Sequence, residues 1–90
     1  YGKSNAAATG EVTLDTLKNG WETIRSDENK YDLHYEDVRD LMGCDGEAYK
    51  IDGTKNSYCW QAGNAILTVT FKVLEDGNEE LNAFSVTGLD

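Results

Sequence analysis

Apolar residues change their period once along this chain. In the run Glu11 to Arg25, Leu14, Leu17, Trp21 and Ile24 recur at spacings of three and four, which is one stripe of an amphipathic helix. Thr13 is placed to cap it, and Asp15 falls in the first turn, where the helix dipole favours negative charge. Gly20 interrupts the middle. Glycine weakens a helix by up to about 1 kcal/mol, so a kink or a late start is expected there. Ser26 to Asp32 is polar and reads as a connection. A second, shorter helix is expected from about Tyr35 to Met42, with Val38, Leu41 and Met42 as its buried edge. Glu36 and Asp37 occupy its first turn, and Gly43 is its left-handed stop.

From Gly46 onward the period is two. Glu47 to Ile51 predicts a short strand, and Asp52-Gly53 is the strongest hairpin signal in the chain. Ser57 to Gln61 is the partner strand, and Ala62-Gly63-Asn64 turns the chain again. Ala65 to Leu74 is the longest strand and is rich in β-branched residues. After Glu75-Asp76-Gly77-Asn78, Leu81 to Thr87 closes a meander. The expected fold is α+β: two N-terminal helices packed on one face of a four-stranded antiparallel β-meander.

Length adds a constraint. Ninety residues make one domain with a small core. Tyr1 to Gly10 is small, polar and aperiodic, so residues 1–12 are expected to form a flexible linker ahead of a single domain at 13–90. A chain trimmed behind a signal sequence or a lipid-anchor cysteine begins in this way, and so does an ordinary frayed terminus. Membrane association is expected only through such an anchor outside this chain. No apolar run approaches the roughly 20 residues of a membrane-spanning helix.

The formal net charge is −9 and the pI is near 4.4. That balance repels a phosphate backbone and an anionic lipid surface, so no nucleic acid is expected as a partner. Acidity also suits solubility outside the cell.

The two cysteines, Cys44 and Cys59, admit three readings: a disulfide, half of a metal site, or unrelated thiols. A metal site needs more ligands, and His34 is the only histidine. The Cys-x-x-Cys spacing of redox pairs is absent. A structural disulfide fits a small acidic domain best, and closing this loop would contribute roughly 3 kcal/mol in the chain-entropy model. Two reduced thiols in a cytosolic protein are the alternative. A bridge would also orient the sheet. Cys44 ends a helix, so Cys59 would point toward the helices, and alternation would put Tyr58 and Trp60 on the open face. In the long strand, Leu67, Val69, Phe71 and Val73 form the apolar set expected to meet the helices, so Ile66, Thr68, Thr70 and Lys72 are expected to join the two aromatics on the open side. Tyr58, Trp60, Ile66, Thr68 and Thr70 are therefore the candidate partner-binding residues, since exposed aromatics on a sheet often mark contact sites. The alternative is that the N-terminal segment, the last residues or a second copy covers them.

Catalytic chemistry finds little support. His34 lacks an obvious nucleophile and sits at a helix start. Many carboxylates are present, but none is singled out as a general acid in an apolar pocket. Asp76, Asn78 and Glu80 alternate like calcium ligands, yet the full loop signature is missing. No phosphate-binding glycine motif is present, and no cofactor or metal is expected.

The order of these features carries a resemblance. Trp21-x-x-Ile24, then Leu33-His34-Tyr35-Glu36-Asp37-Val38, then Leu41-Met42-Gly43, Tyr58-Cys59-Trp60, Thr68-Val69-Thr70-Phe71 and Gly88-Leu89 resemble the β-lactamase-inhibitory-protein-like and small outer-membrane-assembly lipoprotein (SmpA/OmlA) superfamily. The chain departs from the pattern at His34, where a capping Ser or Thr is usual, and at Asp32, where glycine is usual. The resemblance implies a helix–helix–meander fold whose open sheet face is presented to proteins. It implies a bridge like Cys44–Cys59, as in the inhibitory members. Those members hold two such domains and this chain holds one, so a β-lactamase target is not implied. The function expected is a non-enzymatic extracellular or cell-envelope protein-binding module. The alternatives are a structural envelope lipoprotein domain without a discrete ligand and a small carboxylate-dependent hydrolase.

Overall fold

A computed structural model describes residues 10–88; most of the expected linker, and Leu89, lie outside the described residues. The elements run helix α1 (Leu14–Ser26), a short 3-10 turn (Lys30–Asp32), helix α2 (Tyr35–Met42), and strands β1 (Glu47–Ile51), β2 (Lys55–Ala62), β3 (Ala65–Val73) and β4 (Glu79–Thr87). The strands form one antiparallel sheet in the order β1-β2-β3-β4. The chain is therefore α+β, with two N-terminal helices and a four-stranded meander.

Local chemistry accounts for the element ends. The Thr13 hydroxyl accepts the Thr16 N–H at 3.1 Å and caps α1. The helix passes Gly20 unbroken, contrary to the expected kink or late start. Gly20 is buried, and a side chain there would run into the thioether end of Met42. The glycine thus lets the helices approach closely. At α2 the His34 N–H donates to the Asp37 carboxylate at 2.9 Å, and Gly43 closes the helix with φ +84°. The stretch expected as a plain connection contains the 3-10 turn. Beyond it, Leu81 N–H donates to the Leu33 carbonyl at 2.7 Å, tying the connection to β4. The Asp52 carboxylate accepts the N–H groups of Thr54 (2.9 Å) and Lys55 (2.7 Å), which closes the first hairpin.

The core joins Leu17, Ile24, Val38 and Met42 of the helices to Trp60, Leu67, Val69, Phe71 and Leu81 of the sheet. Trp21 is half-buried and meets Phe84 edge-on, with centroids 5.3 Å apart. Two expected core positions are less covered. Leu14 and Leu41 lie at the rims of their helices, 50% and 36% exposed.

Residues 10–12 are not linker. Gly10 N–H donates to the Asp45 carbonyl (2.7 Å), Gln61 N–H to the Gly10 carbonyl (2.6 Å), and Val12 N–H to the Gln61 carbonyl (3.0 Å). Glu11 pairs with Gln61 in a parallel bridge. The reason lies in the ladder. β1 begins at Glu47 opposite Cys59, so β2 beyond that point would leave backbone groups without partners on that side. The N-terminal strap supplies them.

Candidate functional site

The phase of β2 decides which residues can form a site. Cys59 stands opposite Thr68, and Trp60 opposite Leu67. Directly opposed residues share a face, so Trp60 belongs with buried Leu67, and Cys59 with Thr68. Trp60 is 0% exposed, and its indole N–H donates to the Cys44 carbonyl at 3.0 Å. Tyr58 is half-buried on the same side, its ring 4.6 Å from that of Tyr35 and 5.9 Å from Phe71.

The expected placement of Tyr58 and Trp60 on the open face is thus overturned, together with the bond on which it rested. Cys44 and Cys59 are both free thiols. Cys44 packs against the core, and its thiol donates to the Glu11 carbonyl at 3.5 Å. The Cys59 thiol lies 3.5 Å from the Thr68 hydroxyl on the opposite face of the sheet. Simple alternation in β2 carried the correct answer. Tyr58, Trp60 and Ala62 are the apolar set, and Ser57, Cys59 and Gln61 the more polar one. Burying that apolar set together stabilises the fold more than one bridge across a short loop, so burial sets the strand's phase.

The other three candidates fall as expected. Ile66, Thr68 and Thr70 lie on the face away from Trp60. There Ile66 is 36% exposed and Thr70 exchanges a hydrogen bond with Ser57 at 2.8 Å. A groove of about 360 Å³ runs over this face, lined by Glu47, Tyr49, Cys59, Gln61, Ile66, Thr68 and Thr87. Tyr49 is 71% exposed. It is the extra residue of a β-bulge between Ala48 and Lys50, and a bulge re-aims a side chain in a way that strict alternation does not foresee. Gln61 was legible once the phase of β2 was right. Glu47 and Thr87 became legible only with the cross-strand register.

Two tyrosines behind the sheet hold their protons tightly. Burial, and then the hydrogen bond to Glu79, pushes the Tyr58 phenol up to about 12. Burial, and then the hydrogen bond to Asp45, does the same for Tyr35. The Tyr35 hydroxyl also accepts the Gly46 N–H at 3.2 Å, so it locks the loop that leads into β1. The exposed Asp52 carboxyl is held below its usual range by the N–H groups of Lys55 and Thr54.

The groove contains a carboxylate, a thiol, an amide and hydroxyls. The imidazole of His34 is not among its lining groups; its Nδ1 lies 3.8 Å from Asp37 at the start of α2. Among the described residues no group of three or more His, Cys, Asp or Glu is placed to hold a metal ion. Of the residues that alternate like calcium ligands, Asp76 and Asn78 lie in a turn, where the Asp76 carboxylate accepts the Asn78 N–H and side-chain amide, each at 3.0 Å, and Glu80 lies in β4 opposite Lys72. No helix among the described residues is long and apolar enough to cross a membrane.

Comparison with known proteins finds no matching family model, no matching curated protein and no matching solved structure.

Proposed function

We propose that this chain is a non-enzymatic protein-binding module in which α1 and α2 cover one face of the sheet and the other face receives the partner. The single observation that carries this reading is the groove of about 360 Å³ on the face away from Trp60. It combines exposed Tyr49 and Ile66 with hydrogen-bonding groups of Gln61, Thr68 and Thr87. Aromatic and aliphatic anchors surrounded by polar groups are what a protein interface requires. The partner-binding set is accordingly Tyr49, Gln61, Ile66, Thr68 and Thr70, with Tyr58 and Trp60 serving the core.

A location outside the cell or in its envelope accords with the acidity of the chain and with its resemblance to the β-lactamase-inhibitory-protein-like superfamily. The helix–helix–meander order and the use of an open sheet face are the features that would be shared.

Site-directed photo-crosslinking in the native cell tests the reading. A crosslinker at Ile66 or Thr68 should trap one defined protein, and a crosslinker at Glu22 on the exposed side of α1 should not. Equal trapping from both positions, or none from the sheet, would overturn the sheet-face module.

A further inference from the structure

We propose that residues 1–9 of this chain cover the groove on the open sheet face, so that a partner must displace them to bind. The partner's part in this rests on the sheet-face reading above; the cover itself does not. The groove begins where the strap enters the sheet. Gln61 N–H donates to the Gly10 carbonyl at 2.6 Å, and a side-chain carbon built at Gly10 would fall 3.0 Å from the Cys59 carbonyl oxygen and 3.0 Å from Glu47 Cβ. Glu47, Cys59 and Gln61 all line the groove. The strap runs parallel to β2. β1, which starts with Glu47 opposite Cys59, fills the place beside β2 into which the strap would extend backward. The chain ahead of Gly10 therefore has to leave the plane of the sheet. On the helix side Val12, Cys44, Tyr58 and Trp60 pack together with the core and take the space. The open face is the side without such packing.

The composition of residues 1–9 suits that place. Lys3 is their only charged side chain and Tyr1 their only large one, in a chain with 17 Asp and Glu; the rest are small or short. Glu47 is the only charged residue lining the groove. Glu11 pairs with Gln61, so its side chain points to the same side of the sheet. The ion pairs among the described residues include neither carboxylate, nor Lys50, which the bulge brings onto the same face. Lys3 would supply the cation at this end, and Tyr1 an aromatic ring for Tyr49 and Ile66. Reach is sufficient. Seven residues span at most about 23 Å, against roughly 14 Å from β1 to β4. One exposed ion pair contributes little by itself. Attachment at the rim of the groove, however, makes the contact intramolecular, at an effective concentration of order millimolar, so weak contacts suffice. A second copy in dilute solution lacks that advantage.

Cys59 lies in the groove and reports on the cover. The rate at which iodoacetamide alkylates it in the full native chain, followed by mass mapping, is the measurement. Tyr1→Ala/Lys3→Glu should speed the reaction about fivefold or more. Lys3→Arg keeps the charge and should leave the rate low. Lys18→Glu, on the exposed side of α1, should also leave it low. Amide shifts between Tyr1→Ala/Lys3→Glu and the unsubstituted chain should fall on Glu47, Tyr49, Gln61 and Thr68, with the Trp60 indole signal unmoved as the check on folding. An unchanged rate, with shifts confined to the strap, would overturn the cover. Protection of Cys59 that grows with protein concentration would assign the groove to a second copy and overturn it as well. Photo-crosslinking from Thr68 reads the partner separately. Its yield should rise in Tyr1→Ala/Lys3→Glu, and an unchanged yield would overturn the displacement. Protection of Cys59 without any trapped protein would sink the sheet-face module and leave the cover standing.

Discussion

The indole N–H of Trp60 donates to the backbone carbonyl of Cys44 at 3.0 Å, so the largest fully buried side chain of the sheet anchors the segment that leaves α2. Substitution should separate the two parts of this contact. Trp60→Ala should cost on the order of 3–5 kcal/mol of folding free energy. Trp60→Phe keeps much of the apolar burial and leaves the carbonyl unpaired, so it should cost less, about 1–3 kcal/mol. Urea denaturation measures both. If Trp60→Ala leaves the midpoint unchanged, the ring is not in the core.

Gly46 lies against the same ring. A side-chain carbon built there would fall 2.7 Å from Trp60 Cζ2 and 2.8 Å from Tyr58 Cβ. Neither neighbour can swing aside, since one is a buried ring and the other is fixed to the strand. Gly46→Ala should therefore destabilise the domain by about 1–3 kcal/mol. Gly20→Ala meets only the flexible end of Met42 and gains helix propensity, so its effect should be smaller. Thermal midpoints of the two variants would settle the order, and a larger loss at Gly20 would contradict this packing.

Alkali should unfold the protein through Tyr35 and Tyr58. Their phenols ionise at about 12 in the folded chain, against an ordinary value of 10.0. Between those values the native state holds protons that the unfolded chain has released. The stabilisation is fully present below pH 10 and is lost as pH rises through about 12. Urea midpoints should fall across that window, and Tyr58→Phe should flatten the decline. Tyrosinate absorbance showing every tyrosine ionising near its ordinary value would refute the assignment.

Thiol titration of the denatured, unreduced protein should find both Cys44 and Cys59 reactive, because the strand's phase puts Cys59 beside Thr68 on the sheet's other face. Cys59→Ser should shift stability by less than about 1 kcal/mol. A protein with no free thiol would overturn this placement of Cys59.

Much of the architecture is written locally. The three-and-four spacing from Leu17 to Ile24, the Thr13 cap, the Gly43 stop and the Asp52-Gly53 turn each act over a few residues, and the elements appear where those signals stand. A period of two likewise shows which residues of a strand share a face. It does not show which face is covered, because that depends on partners distant in the chain. Pairing Cys59 with Cys44 chose the wrong side for β2. The burial of Trp60 against Leu67 and the helices chose the right one, since removing the indole from water together with Tyr58 and Ala62 outweighs one crosslink. The candidate face follows the same division. Ile66, Thr68 and Thr70 were legible from β3 alone. Tyr49 needed the bulge in β1, and Glu47 and Thr87 needed the cross-strand register, which only the folded sheet supplies.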